Sequence, residues 1–422
     1  MKHARKIIVC IASLIFVLPA LLRINKPLPG IESYYFINQF SSFPEFAFRI
    51  IPLAFGALSA VVFFFLLKKL GFGSDVSYIS TVLLLVSTPF IYNSVMFTPH
   101  CLFFLMVLTA FYLFMREEKC CYLLSVPLFL AGAMFDFYAL IIILGLISYS
   151  VFYKKRVGMT FSLSVAVLIF MLASLPANWF SPAQDYLQLL ISDFGGELGI
   201  GISTFILAAY GFFRTWGKKH QLGFIYVAVL LFFVSCNYFF FMPIYLNVPV
   251  VIFSAIALND LLKRKWELAI IKQMSLIALA CTFLFSSVSY VNRMATAEPD
   301  DEIVKSLVFL KSSEPGVVFS HPDKGFWIQY YSEKPTFADR LAMDSTLQNI
   351  ASELYYSRSF DNSTKILGES KIRYIWIDNQ MKTGQVWTKP EQGLLFLFVD
   401  RTLFTQIYDK NSIEIWEYHS MH

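Results

Sequence analysis

The chain has 422 residues, of which 57% are hydrophobic and 15% charged, with 45 Phe and 22 Tyr. A soluble domain carries about 25% charged residues, so a mean hydropathy of +0.60 excludes an ordinary cytosolic enzyme. The net charge of +5 is no nucleic-acid signal. Most Lys and Arg of the first 290 residues stand in short clusters between apolar runs, which is the pattern of membrane topology. The expected partner is a lipid bilayer, and no nucleic acid is expected.

The acids divide the chain. Eighteen of the 29 Asp and Glu fall in residues 291–422 and 11 in the first 290. The expected domains are therefore a multi-span membrane body, 1–290, and a tail of ordinary globular composition, 291–422.

In chain order, eleven candidate spans are expected: Ile7–Leu22, Phe48–Leu67, Val76–Tyr92, Phe97–Met115, Cys121–Met134, Tyr138–Tyr153, Met159–Phe180, Leu198–Phe213, Leu222–Cys236, Phe240–Leu258 and Leu268–Tyr290. A crossing helix needs about 17–25 residues, so the fifth and sixth read as tilted or partly re-entrant. Basic clusters at Lys2/Arg5/Lys6, Lys68/Lys69, Arg116/Lys119, Lys154/Lys155/Arg156, Arg214/Lys218/Lys219 and Lys263/Arg264/Lys265 occupy the N-terminus and every second loop. The opposite side holds Arg23, Lys26 and Arg49. This asymmetry predicts a cytoplasmic N-terminus, and an odd span count then puts the tail outside. The first span lacks a small-residue cleavage site after Leu22 and is expected to be retained. The six Cys all lie in or beside spans, so the tail has no disulfide framework or thiol–zinc pattern.

The tail reads as α/β. Pro299-Asp300-Asp301-Glu302 opens a helix to Ser312, and a second helix is expected over Ser345–Tyr356. Strands are expected at Val317–Ser320, Tyr374–Asp378 and Leu394–Val399, with a hairpin of Phe404–Tyr408 and Ile413–Tyr418 joined by residues 409–412. Asn362-Ser363-Thr364 is a glycosylation sequon on the expected external side.

The expected outer face carries six acids, Glu32, Glu45, Asp136, Asp185, Asp193 and Glu197. Ionised groups beside membrane helices are costly unless paired or functional. Glu45 and Glu197 read as solvated loop residues. Glu32 stands in the longest loop between spans, where Pro27, Pro29 and Gly30 stiffen the exit and the Tyr-rich stretch after it suits an interfacial helix. A carboxylate held there can take a proton from an incoming hydroxyl.

Glu32-Ser33-Tyr34-Tyr35 resembles the first-loop acid, followed by x-Tyr-Tyr, of the polytopic glycosyltransferases that use lipid-linked sugars and share the C-type fold. Arg49-Ile50-Ile51-Pro52 and Leu67-Lys68-Lys69-Leu70-Gly71 are similar to the two ends of that family's second helix. Ser320-His321-Pro322-Asp323-Lys324-Gly325-Phe326-Trp327-Ile328 is similar to the acceptor-recognition segment of the oligosaccharyltransferase catalytic subunit, Trp-Trp-Asp-x-Gly and then aromatic-Trp-Ile. Asp323, Gly325, Trp327 and Ile328 match; His321 and Pro322 stand in place of the paired Trp, which argues against transfer to Asn.

The resemblance implies an α-helical polytopic membrane protein of about eleven transmembrane helices with a C-terminal external α/β domain. It implies an inverting glycosyltransferase that moves a sugar from a polyprenyl-phosphate-linked donor to a glycan or protein acceptor on the external face. Glu32 would be the catalytic base; Tyr34, Tyr35, Arg49, His100 and Asp136 are the substrate-binding candidates. Lys26 is a further phosphate candidate beside Arg49. The family's external Asp-x-Asp-like metal pair is not found, so a divalent ion (Mg or Mn) enters without identified ligands. The family's external Arg before the penultimate helix is replaced by Asn237-Tyr238-Phe239-Phe240-Phe241-Met242-Pro243. Two other classes stay open: a catalytically inactive relative acting as an assembly subunit, and a lipid or solute transporter.

Overall fold

The computed structural model describes residues 2–40, 43–116, 118–133, 142–143, 145–147, 157–173, 190–196, 198–236, 241–340, 345–389 and 391–419. Asp136, Asp185, Glu197, the Lys154–Arg156 cluster, the expected span Tyr138–Tyr153 for the most part, and the segment 237–240 lie outside the described residues. Tertiary contacts divide the chain into two units: Met1–Ile24 with Pro44–Ala295, and Asn25–Phe43 with Thr296–His422.

The first unit is helical because its apolar runs leave the backbone no polar partner but itself. Its described helices are α1 (Lys2–Leu22), α3 (Glu45–Lys69), α4 (Ser74–Val86), α5 (Thr88–Val95), α6 (Pro99–Phe114), α7 (Lys119–Ala133), α8 (Val157–Ala173), α9 (Ile202–Thr215), α10 (Lys219–Ser235), α11 (Met242–Lys263) and α12 (Ala269–Thr296), while α2 (Ile31–Gln39) belongs to the second unit. Among the described residues four helices are long and apolar enough to cross a membrane, or five if the bent pair α4–α5 is one span. Several of the expected eleven spans appear as shorter apolar helices.

The expected span Val76–Tyr92 is a broken helix. α4 and α5 meet at 59° across Ser87, whose extended backbone precedes a Pro in the first turn of α5. The freed polar groups find partners: Ser87 Oγ donates to Leu84 O at 2.7 Å and accepts from Asn247 Nδ2 at 2.7 Å. This is the condition under which irregular backbone is tolerated inside an apolar body. α11 is the centre of the unit, buried on nearly every face of its first turns. Gly211 of α9 packs directly on the Phe253 backbone, a closeness that no Cβ would permit. Ser254 Oγ reaches Thr204 O at 2.7 Å across the same seam.

The second unit is α/β. Its helices are α2, α13 (Asp301–Lys311), α14 (Gly325–Ser332), α15 (Ser345–Tyr356), α16 (Phe360–Glu369) and the single turn α17 (Leu394–Leu397). Its strands are β1 (Val317–Phe319), β2 (Ile372–Ile377), β3 (Phe404–Lys410) and β4 (Ile413–Tyr418), in the sheet order β1-β2-β4-β3. β1 and β2 are parallel; β2–β4 and β4–β3 are antiparallel. The core gathers Phe319, Leu354, Ile375, Ile377, Trp387 and Phe404. Asp300 caps α13, accepting from the backbone of Glu302 and Ile303.

Two expectations are corrected here. Leu394–Val399 is not a strand: Gly393, at a positive φ of 56°, turns the chain into α17. The hairpin turn is two residues, not four, because Asn411 and Ser412 both take positive φ (51° and 64°) and β3 runs on to Lys410. The sequon residue Asn362 lies in α16 and donates to Glu353 Oε1 at 2.8 Å.

Candidate functional site

The site is built in the second unit, where residues from the N-terminal quarter of the chain meet the segment around position 323. Gly30, at a positive φ of 83°, starts α2. The Gly30 amide donates to Glu298 O at 3.0 Å, and its carbonyl accepts from Trp327 Nε1 at 3.3 Å. α2 is thereby laid along α14. Tyr34 is enclosed between them: its hydroxyl donates to Leu28 O at 3.1 Å and shares a 2.7 Å bond with the Tyr331 hydroxyl. Tyr35, half-buried, stacks obliquely on Phe326, with ring centres 5.2 Å apart.

On the first turn of α2, Glu32 Oε1 accepts from Arg340 Nη1 at 2.7 Å. The same guanidinium reaches Asp323 Oδ1 through Nε at 3.4 Å. Asp323 Oδ2 is held by Gln385 Nε2 at 3.3 Å and lies 3.4 Å from His321 Nδ1. The Asp323 amide donates to that ring nitrogen, at 3.3 Å. Burial lowers the His321 pKa below the usual 6.5; Lys324 and Arg340 act the same way, while Asp323 and Asp378 oppose it. The Asp323 amide makes Nδ1 of His321 an acceptor.

Behind this surface lies a buried lysine. Lys324, 2% exposed, places Nζ 2.8 Å from Glu298 Oε2, 2.8 Å from Asp378 Oδ2 and 3.0 Å from Gln380 Oε1, and 4.9 Å from the centre of the Trp327 ring. Asp378 also accepts from the Met381 amide at 2.9 Å. A buried ammonium needs this full set of partners. Gly325 explains the tight geometry. A Cβ there would stand 2.7 Å from Asp339 Cβ and 2.9 Å from Ala338 O, so only glycine lets the chain at Ala338 and Asp339, next to Arg340, pack so closely here.

The other expected site residues fall elsewhere. Arg49 belongs to the first unit, where Nη1 donates to Arg23 O at 2.7 Å and Nη2 pairs with Glu45 at 3.0 Å. His100 is buried in that unit, with Nδ1 3.2 Å from the Tyr245 hydroxyl and its ring 4.0 Å from that of Phe241. Asp136 lies outside the described residues. Among the described residues no group of three or more His, Cys, Asp or Glu side chains converges as a metal site. Glu32 and Asp323 face a guanidinium in place of the several converging oxygens that a hard divalent ion needs. So paired, these two carboxylates do not fit such an ion.

No protein-family model and no curated protein sequence matches the chain. Solved structures do. The crystal structure of the Archaeoglobus fulgidus oligosaccharyltransferase tethered with an acceptor peptide containing the NVT sequon aligns with a TM-score of 0.63 at 12% identity, covering 100% of this chain and 74% of that one. Archaeal oligosaccharyltransferase AglB from Archaeoglobus fulgidus, in complex with an inhibitory peptide and a dolichol-phosphate, aligns at 0.64 and 11% identity over 100% and 74%. The apo form of the Archaeoglobus protein gives 0.61 at 12% over 100% and 75%. The chain has the oligosaccharyltransferase fold. At such identities it is the fold that is shared, so the oligosaccharyltransferase likeness is one of architecture, and chemistry has to be argued from the residues.

Of the expected residues, the structure brings Glu32, Tyr34 and Tyr35 to the segment 320–331 of the oligosaccharyltransferase-like chain. Arg340, Gln385, Glu298 and Asp378 were not expected. Arg340 stands 308 positions from Glu32, and no local pattern marks such a pair.

Proposed function

We propose that this chain is an inverting membrane glycosyltransferase that passes a sugar from a polyprenyl-phosphate-linked donor to a glycan or protein acceptor on the external face, with Glu32 taking the proton of the acceptor hydroxyl. One observation carries the reading. Arg340 joins Glu32 to Asp323, so the two segments that each resemble this class on sequence are one cluster in the fold. The apolar helices and the oligosaccharyltransferase architecture support a membrane enzyme with a lipid-linked donor. The Archaeoglobus protein has been crystallised with an acceptor peptide and seen with a dolichol-phosphate, which favours these ligand classes by fold-level analogy. His321 and Pro322 favour an acceptor other than the Asn of a sequon.

The assay is transfer by purified protein from polyprenyl-phosphate- and polyprenyl-diphosphate-linked sugars to peptides and glycans. Product that retains the acceptor and inverts the anomeric centre is expected. Donor binding without transfer to any acceptor would favour the second reading, an inactive assembly subunit, which the pairing of Glu32 with Arg340 keeps open. The orientation belongs to the same proposal: reporters fused at Ser320 are expected outside and at Lys265 inside.

A further inference from the structure

We propose that Arg340 is the built-in counter-ion of Glu32, holding the place beside this carboxylate that a divalent cation would otherwise take. The idea gives a role to a residue outside both resemblances. It rests on the proposed reading of Glu32 only for its meaning in catalysis, and its test reads metal binding, not turnover.

The geometry is that of a bridge. A single planar guanidinium donates through Nη1 to Glu32 at 2.7 Å and lies 3.4 Å from Asp323 through Nε. Arg suits this position because its donors are fixed in one fork and its charge is never lost. Both carboxylates are committed to it. Asp323 Oδ2 is turned toward Gln385 and His321, and its backbone is held by His321 and by the buried Lys324 beside it. Gly325 lets the chain at Ala338 and Asp339 press against it, which fixes the approach of Arg340. Hard divalent ions need six or so oxygens at about 2.0–2.6 Å. Here two acids share one guanidinium, and His321 supplies a nitrogen already used as an acceptor. Without Arg340, the two like charges would lose their shared counter-charge, the circumstance in which a small cation is drawn in.

The experiment is Mn2+ titration of the purified full chain in detergent, followed by electron paramagnetic resonance, with the parent protein, Glu32→Gln, Arg340→Gln, Arg340→Lys and the double variant Arg340→Gln/Glu32→Gln. Up to about 1 mM Mn2+, the weak end for carboxylate sites, the parent is expected to show no bound ion that Glu32→Gln removes. Arg340→Gln is expected to gain one, the double variant to lose it again, and Arg340→Lys to resemble the parent. A Glu32-dependent ion in the parent protein overturns the proposal. So does an Arg340→Gln variant with parental circular dichroism that gains no site. If Arg340→Gln does not fold, the comparison of the parent with Glu32→Gln decides alone.

Discussion

Tyr34 and Tyr331 share a hydrogen bond, hydroxyl to hydroxyl, at 2.7 Å, and the Tyr34 ring is almost wholly enclosed. The tyrosine that follows the first-loop acid is therefore a fastener of α2 to α14. Tyr35, half-buried beside Phe326, is the one of the pair with open surface.

Tyr34→Phe leaves Leu28 O and the Tyr331 hydroxyl without this partner. A loss of about 1–2 kcal/mol of stability is expected, since a buried carbonyl that loses its donor costs more than an average bond. Thermal unfolding measures it. A Tyr34→Phe variant with parental stability and impaired ligand binding would point to a ligand role instead.

Glu32→Gln keeps an acceptor oxygen for Arg340 but removes the carboxylate charge and with it the ability to take a proton. A rate loss of about 10²–10⁴-fold is expected, with donor binding retained. Glu45, 58% exposed at its side chain and paired with Arg49, is the control; Glu45→Gln is expected to change stability by less than about 0.5 kcal/mol. Equal, near-parental transfer in both would remove Glu32 from the chemistry.

Gly325→Ala forces a methyl group against Asp339 Cβ and Ala338 O. Overpacking of this kind costs about 1–3 kcal/mol. It also pushes away the chain that leads into Arg340, so the variant is expected to lose transfer beyond what its unfolding midpoint explains. Serine, with the same Cβ, is expected to behave likewise.

Lys324→Met removes the cation from between Glu298 and Asp378. Breaking a buried pair on one side costs about 3–5 kcal/mol. Combining it with Asp378→Asn and Glu298→Gln is expected to recover part of that loss, and a thermal-melt series reads the recovery.

His321 gives a pH dependence with a definite sign. Its folded pKa is held down, chiefly by burial, so the unfolded chain binds its proton first. The stability it contributes is complete above the unfolded value of about 6.5 and falls as the pH drops toward the folded value. Melting midpoints followed from about pH 7 to about pH 5 are expected to fall less steeply in His321→Gln than in the parent protein.

The hairpin and α13 were legible in the sequence because each is local: two β-rich runs flank Asn411-Ser412, and Asp300 caps the helix that follows it. Leu394–Val399 misled because a short apolar run has no period, and only the conformation of Gly393 decides between strand and turn. The span Val76–Tyr92 hid its break for a similar reason. The apolar run continues on both sides of Ser87, and the partner that satisfies its hydroxyl, Asn247, lies 160 residues away. At the site, Glu32 was marked by its place among Pro, Gly and Tyr. Arg340 was not, since one surface arginine resembles another until the fold pairs it.

The second unit is discontinuous in the chain, and this has a consequence for biogenesis. Residues 25–43 leave the ribosome some 250 residues before the segment from Thr296 onward on which they pack. Loop-closure entropy grows only slowly with such a separation, but the pairing cannot begin before synthesis is nearly complete. During that interval Tyr34 lacks Tyr331 and Glu32 lacks Arg340, and a short segment in that state is open to aggregation or to a chaperone. A truncation after α12 would make the interval permanent, so the first unit produced alone would carry the segment 25–43 without the partners it packs on.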